Sequence, residues 1–139
     1  MMRWTGMILA ALASPLAAQN APPLFDSTRT APLSSGQWSY AATATGSEAR
    51  FGALFSIRCD RVARSVTLRR TVAASGAMTI STDLSVRTLP ADGVTAITDP
   101  VLDAIAFSRG RFIVRSGGGS QLILPASPEA ARSIEDCRN

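Results

Sequence analysis

The chain has 139 residues, 46% of them hydrophobic, and a formal net charge of +4. All of its basic residues are arginine; histidine and lysine are both absent. That composition excludes Ser-His-Asp and Cys-His catalysis, Ser-Lys and Schiff-base chemistry, the lysine-dependent phosphate loop and the usual Cys/His zinc sites.

Residues 1–18 have the three parts of a secretory signal peptide. Arg3 supplies the positive start, Thr5 to Ala13 is apolar, Ser14-Pro15 breaks the helix, and Leu16-Ala17-Ala18 offers small residues for cleavage after Ala18. The apolar run falls far short of the roughly 20 residues a membrane span requires. About 120 residues follow, enough for one domain with a modest core. Residues 19–36, carrying Pro22, Pro23 and Pro32, are expected to form an extended lead-in. Residues 37–139 are expected to form a single β-rich domain.

Period-2 alternation dominates after Gly36 and marks half-buried strands. Gln37–Thr45 is the first, with Trp38 and Tyr40 on one face. Arg50–Cys59 alternates so cleanly that it predicts one continuous strand. Phe51, Ala53, Phe55, Ile57 and Cys59 then share the core face, and Arg50 and Arg58 the other. A short polar turn over Asp60–Ala63 leads to Ser65–Thr71, with Val66 and Leu68 inward, which completes an antiparallel hairpin. Ala74-Ser75-Gly76 is expected to turn. Met78–Thr82 and Leu84–Leu89 follow as one bent strand or two short ones, with Met78, Ile80, Leu84 and Val86 as the apolar positions. Val94–Ile97 adds a further short strand.

Asp99-Pro100 opens a helix with an N-cap and a proline at N1. Val101, Leu102, Ile105 and Ala106 keep helical spacing, and Gly110 is the expected C′ residue. Arg111–Ser116 is a strand with Phe112 and Val114 inward; it turns at Gly117-Gly118-Gly119 and pairs with Gln121–Leu124. Ser127-Pro128-Glu129 opens the last helix, on which Ala130, Ile134 and Cys137 share a face.

Cys59 and Cys137 are the only cysteines. In an exported chain, one disulfide between them is the simplest pairing, and both periodicities turn them inward. A redox pair fits less well, because there is no Cys-x-x-Cys and no histidine or lysine to lower a thiol pKa. Two other sets of residues carry chemistry. Asp99 with Asp103, and Glu135 with Asp136, are the carboxylate pairs that glycoside hydrolysis would require. Arg109, Arg111 and Arg115 cluster about one strand and Arg58 points outward from another. If those strands are neighbours they form a guanidinium-bearing face suited to phosphate or carboxylate. Nucleic acid fits that face poorly, since aromatic residues do not interleave with the arginines. No cofactor or metal is expected.

Trp38, Arg58-Cys59, the run from Asp99 to Phe112 and the ending Ile134-Glu135-Asp136-Cys137-Arg138 resemble small exported proteins of uncharacterised function from Gram-negative bacteria. The layout of an early Trp, an Arg-Cys strand and a late helix ending in Cys is also similar to accessory proteins of type VI secretion clusters. The paired acids those proteins carry after the Trp are missing here, where only Gly46-Ser47-Glu48 stands nearby. Neither resemblance implies an activity or carries a binding residue over.

The expected fold is a compact antiparallel β-sandwich or curved sheet with one inserted helix and a C-terminal helix tied on by the disulfide. Trp38, Phe51, Phe55, Ile57, Leu68, Phe112, Val114 and Ile134 are its expected core. The expected function is non-catalytic: a periplasmic or secreted binding or structural module for an anionic envelope component or a partner protein. The alternative is a carboxylate-based hydrolase of envelope glycans.

Overall fold

A computed structural model describes residues 23–71, 75–117 and 120–139. The segment read as a signal peptide lies outside them. The fold is mainly β, built from two antiparallel sheets. The first sheet contains β1 (Trp38–Ala42), β2 (Gly46–Phe51), β3 (Phe55–Asp60), β4 (Ser65–Arg70) and β7 (Val94–Ala96), in the order β1-β2-β3-β4-β7. The second contains β5 (Ser75–Ser81), β6 (Val86–Leu89), β8 (Arg111–Gly117) and β9 (Leu122–Pro125), in the order β6-β5-β8-β9. Among the described residues there are also three helices: α1 (Pro23–Ser27), α2 (Pro100–Ala106) and α3 (Pro128–Asp136).

The inner faces meet through aromatic rings. Phe55 of the first sheet lies 6.1 Å, centroid to centroid, from Phe112 of the second, and Trp38 lies 6.2 Å from the same ring. The Trp38 indole N–H also crosses the gap, donating to the Pro125 carbonyl at 2.8 Å. The core expected from the alternation is present: Phe51, Phe55, Ile57, Leu68, Phe112, Val114 and Ile134 are all buried, with Trp38 packed at the edge. Helix α3 covers the other end of the first sheet's inner face. Its N-cap is Ser127, whose hydroxyl accepts from the Ala130 N–H. Its inward residue Ser133 reaches the buried Ser47 hydroxyl of β2 at 3.3 Å.

Cys59 and Cys137 form the disulfide, with their Cα atoms 5.5 Å apart. The bond joins the inner face of β3 to the end of α3. Gly46 makes the fit possible: a Cβ there would lie 2.3 Å from the Cys59 carbonyl oxygen and 3.1 Å from its sulfur.

Several expected elements take a different form. The alternating run Arg50–Cys59 is two strands rather than one. The chain reverses at Gly52–Leu54, with Gly52 at φ +52 and the Leu54 N–H bonded to the Phe51 carbonyl. A three-residue loop leaves Phe51 directly opposite Phe55, so the period-2 pattern passes through the turn intact. Only Ala53 departs from it, exposed at the tip.

Ser75 and Gly76 open β5 instead of making a turn; Ala74 lies outside the described residues. Leu84 and Val86 point outward, and Leu89 is the buried residue of that segment. Helix α2 ends at Phe107, its C-cap, so Gly110 is not its C′ residue. Gly110 instead leads into β8, its carbonyl accepting from the Ala126 N–H. Gly118 and Gly119 lie outside the described residues, but β8 and β9 pair antiparallel as expected.

The lead-in contains a helix. Phe25 of α1 packs with Ile113 and Ile123 in a second small core on the outer face of β8 and β9. This explains why Ile113 is buried although the strand's parity turns it outward.

Candidate functional site

The expected arginine face does not assemble. Arg58 belongs to β3, while Arg109, Arg111 and Arg115 lie on or beside β8, in the other sheet. Arg111 is a structural anchor: its Nη1 donates to the carbonyls of Thr28 at 2.9 Å and Ala31 at 2.6 Å, holding the residues after α1 against β8. The Arg109 side chain is 91% exposed and stands 4.0 Å from Asp83. Arg115 is exposed opposite Thr79. These three do not converge with Arg58.

A different arginine set does converge. On the outer face of the first sheet the register places Glu48, Arg58 and Thr67 in one cross-strand row and Arg50, Ser56 and Arg69 in the next. They line a shallow cleft of about 360 Å³ with Asp60 and Thr71 at its margins. Three of its charges are already engaged. Arg50 pairs with Glu48 at 3.2 Å, and one Asp60 oxygen accepts from the Val62 and Ala63 N–H groups, both at 2.9 Å. Arg58 and Arg69 are exposed and make no ion pair among the described residues. They are diagonal neighbours across β3 and β4, a relation that sets Cα atoms about 7–8 Å apart. Two long guanidinium side chains can close on one anion over that distance. Arg69 was legible in the sequence: with Val66 and Leu68 inward, parity turns Thr67 and Arg69 outward beside Arg58.

The carboxylates are dispersed and individually held. Asp99 caps α2 by accepting from the Val101 N–H at 2.9 Å and pairs with Arg87 at 3.0 Å. Burial pushes its pKa up, but the Arg87 hydrogen bond, the Val101 N–H and the Arg87 charge together hold it below the usual range. Asp103 turns to Arg138 at 2.6 Å instead of facing Asp99, and Glu135 approaches the same guanidinium at 3.7 Å. Asp136 points the other way, to the Tyr40 hydroxyl at 2.5 Å.

That last contact clasps α3 to β1. The Arg132 guanidinium stacks over the Tyr40 ring at 4.0 Å, and Arg61 donates to the Asp136 carbonyl at 2.8 Å. The Tyr40 hydrogen bond lowers the Asp136 pKa; burial opposes it, and Ser47, Arg61 and Arg132 reinforce it. A carboxyl with a depressed folded pKa stabilises the fold above its unfolded pKa of about 3.9, and that contribution disappears as pH falls through the folded value. Tyr40→Phe is therefore expected to cost about 1 kcal/mol near neutral pH, a partly exposed charge-assisted hydrogen bond. It should also flatten the loss of stability below about pH 4. Urea titrations of both proteins across pH 2–7 check this; parallel pH profiles would contradict it.

Both cysteine sulfurs are in the disulfide, and Cys59 and Cys137 are 0% and 7% exposed, so neither is presented for thiol exchange. The bond is compatible with an extracytoplasmic location. Among the described residues no helix is long and apolar enough to cross a membrane. No protein-family model, curated protein or solved structure matches the chain.

Proposed function

We propose that the protein is a non-catalytic binding module of the periplasm or external medium, and that it holds an anionic envelope component on the outer face of its five-stranded sheet. The observation that carries this is the diagonal pair Arg58 and Arg69, exposed over a cleft and without carboxylate partners among the described residues. The flanking hydroxyls of Ser56 and Thr67 suit an oxygen-rich anion such as a phosphorylated or acidic glycan. Export rests on the leader-like residues 1–18, and the disulfide supports it. The alternative, a glycan hydrolase, requires two convergent carboxyls with one kept protonated. Asp99 and Asp136 are lowered, and Asp103 and Glu135 both turn to Arg138, an arrangement that supports binding over hydrolysis.

The test is capture of purified lipopolysaccharide and of polyglutamate on a sensor surface. The Arg58→Glu/Arg69→Glu double variant should bind at least about tenfold more weakly, with the wild-type signal falling as salt rises. Arg115→Glu, on the other sheet, should bind as wild type. Equal loss in the two variants, or no wild-type binding to either polyanion, would remove the assignment.

A further inference from the structure

A second cavity, of about 550 Å³, opens where the two sheets part at one end of the sandwich, and Leu68, Arg70, Thr71, Met78, Asp92 and Ser116 line it. Arg70 stands directly across from Phe55 and shares its inward face. An inward arginine at the mouth of a sandwich is costly unless its charge is matched. This one is not matched among the described residues. Its Nη1 makes one long hydrogen bond, 3.4 Å, to the Ser116 hydroxyl. Its Nε is buried with no partner, and it forms no ion pair among the described residues. Burial pushes its pKa down, the same imbalance expressed as protonation.

The strand edge beside it is uncovered past Leu68 among the described residues. β7 pairs with β4 only over Ser65–Thr67, and the Leu68 N–H then reaches the Gly93 carbonyl at 2.9 Å. The Thr71 N–H bonds to Leu54 on the β3 side. Backbone groups alternate sides along an antiparallel strand, so those of Arg70, like those of Leu68, face away from β3 toward the open side. The cavity thus presents the Arg70 guanidinium, the Ser116 hydroxyl, and the Arg70 N–H and C=O, which have no backbone partner among the described residues. Its charged lining is Arg69, Arg70 and Asp92, an excess of one positive charge, which favours a singly charged carboxylate over a phosphate dianion.

We propose that this cavity captures the free C-terminal carboxylate of an extended peptide, the carboxylate on Arg70 and the peptide backbone along the open edge of β4. The two sites share Arg69, Thr67 and Thr71 at their common margin, but Arg70 lines only this cavity and Arg58 only the outer cleft, so substitutions at those two arginines separate the assignments.

The experiment is an amide and arginine-side-chain NMR titration of the intact oxidised protein with N-acetyl-alanyl-alanine, its C-terminal amide, acetate and inorganic phosphate. The peptide acid should shift the Arg70 Nε–H and backbone signals, together with those of Ser116, Thr71 and Asp92. The amide should leave them unmoved. Arg70→Gln should weaken peptide binding at least about tenfold. Ser116→Ala, a milder change, should weaken it severalfold and serves if Arg70→Gln does not fold. Acetate binding as tightly as the peptide acid would overturn the peptide assignment. An equal response to the amide or to phosphate, or shifts confined to other surfaces, would overturn the carboxylate site itself.

Discussion

Replacing both Cys59 and Cys137 with alanine is expected to lower the unfolding free energy by about 4 kcal/mol. The bond spans 78 residues, and a closed loop of that length restricts the unfolded chain by about 4 to 4.5 kcal/mol in the chain-entropy account. Alanine is preferable to serine because Cys59 is fully buried and a hydroxyl there would add a desolvation cost of its own. A domain of this size is stable by about 5–15 kcal/mol, so the variant is expected to sit near the limit of folding. Urea denaturation with and without reductant measures it: the reduced wild type should approach the variant, and the variant should ignore reductant. A loss under about 1 kcal/mol would mean that α3 is held chiefly by its other contacts, the Tyr40–Asp136 bond and the burial of Ile134.

The disulfide was legible because two periodicities agreed. Cys59 falls on the core parity of its strand, and Cys137 continues the face of Ala130 and Ile134. Strand existence and inward residues were legible for the same reason, since burying one face constrains every second position. Connections were less so. The hairpin at Gly52–Leu54 leaves no trace in the alternation, because an odd-numbered loop returns the chain with its parity unchanged. Gly52 was the one local signal. The inward arginine Arg70 was legible only as an anomaly, a charge on the parity of Val66 and Leu68.

Sheet membership is where sequence reasoning stops. Local pattern shows which way a side chain points relative to its own strand, and nothing in it assigns β3 and β8 to one sheet or to two. Arg58 and Arg111 have equivalent outward parity, yet one lies over an open cleft and the other is bonded to carbonyls of the lead-in. The covering segment decides the difference. A short helix carrying Phe25 buries Ile113 and brings Thr28 and Ala31 within reach of Arg111. A Pro-, Ser- and Thr-rich stretch gives little warning of this, because five helical residues are too few to show a period.

Phe112→Ala should be the most damaging single substitution in the core, at about 3–5 kcal/mol. Phe112 is fully buried and meets both Phe55 and Trp38, and through Trp38 the contacts reach Phe51 at 5.5 Å. Its removal leaves a cavity where the two sheets touch, and the neighbours have little freedom to fill it. Phe55 is fixed at the start of β3 between its strand partners Phe51 and Arg70, and Trp38 is pinned by its bond to Pro125. The disulfide cannot compensate, because it joins β3 to α3 at the other end of the first sheet and makes no link to the second. The expected signature is a large fall in urea midpoint with the disulfide intact, together with loss of near-UV tryptophan dichroism as Trp38 loses one ring partner. Phe107→Ala, at an exposed residue beyond α2, should leave both measurements unchanged. A small effect at Phe112 with a preserved tryptophan signal would mean that the sheets are joined mainly through their covalent connections and the Trp38–Pro125 bond, and not through the aromatic contact between them.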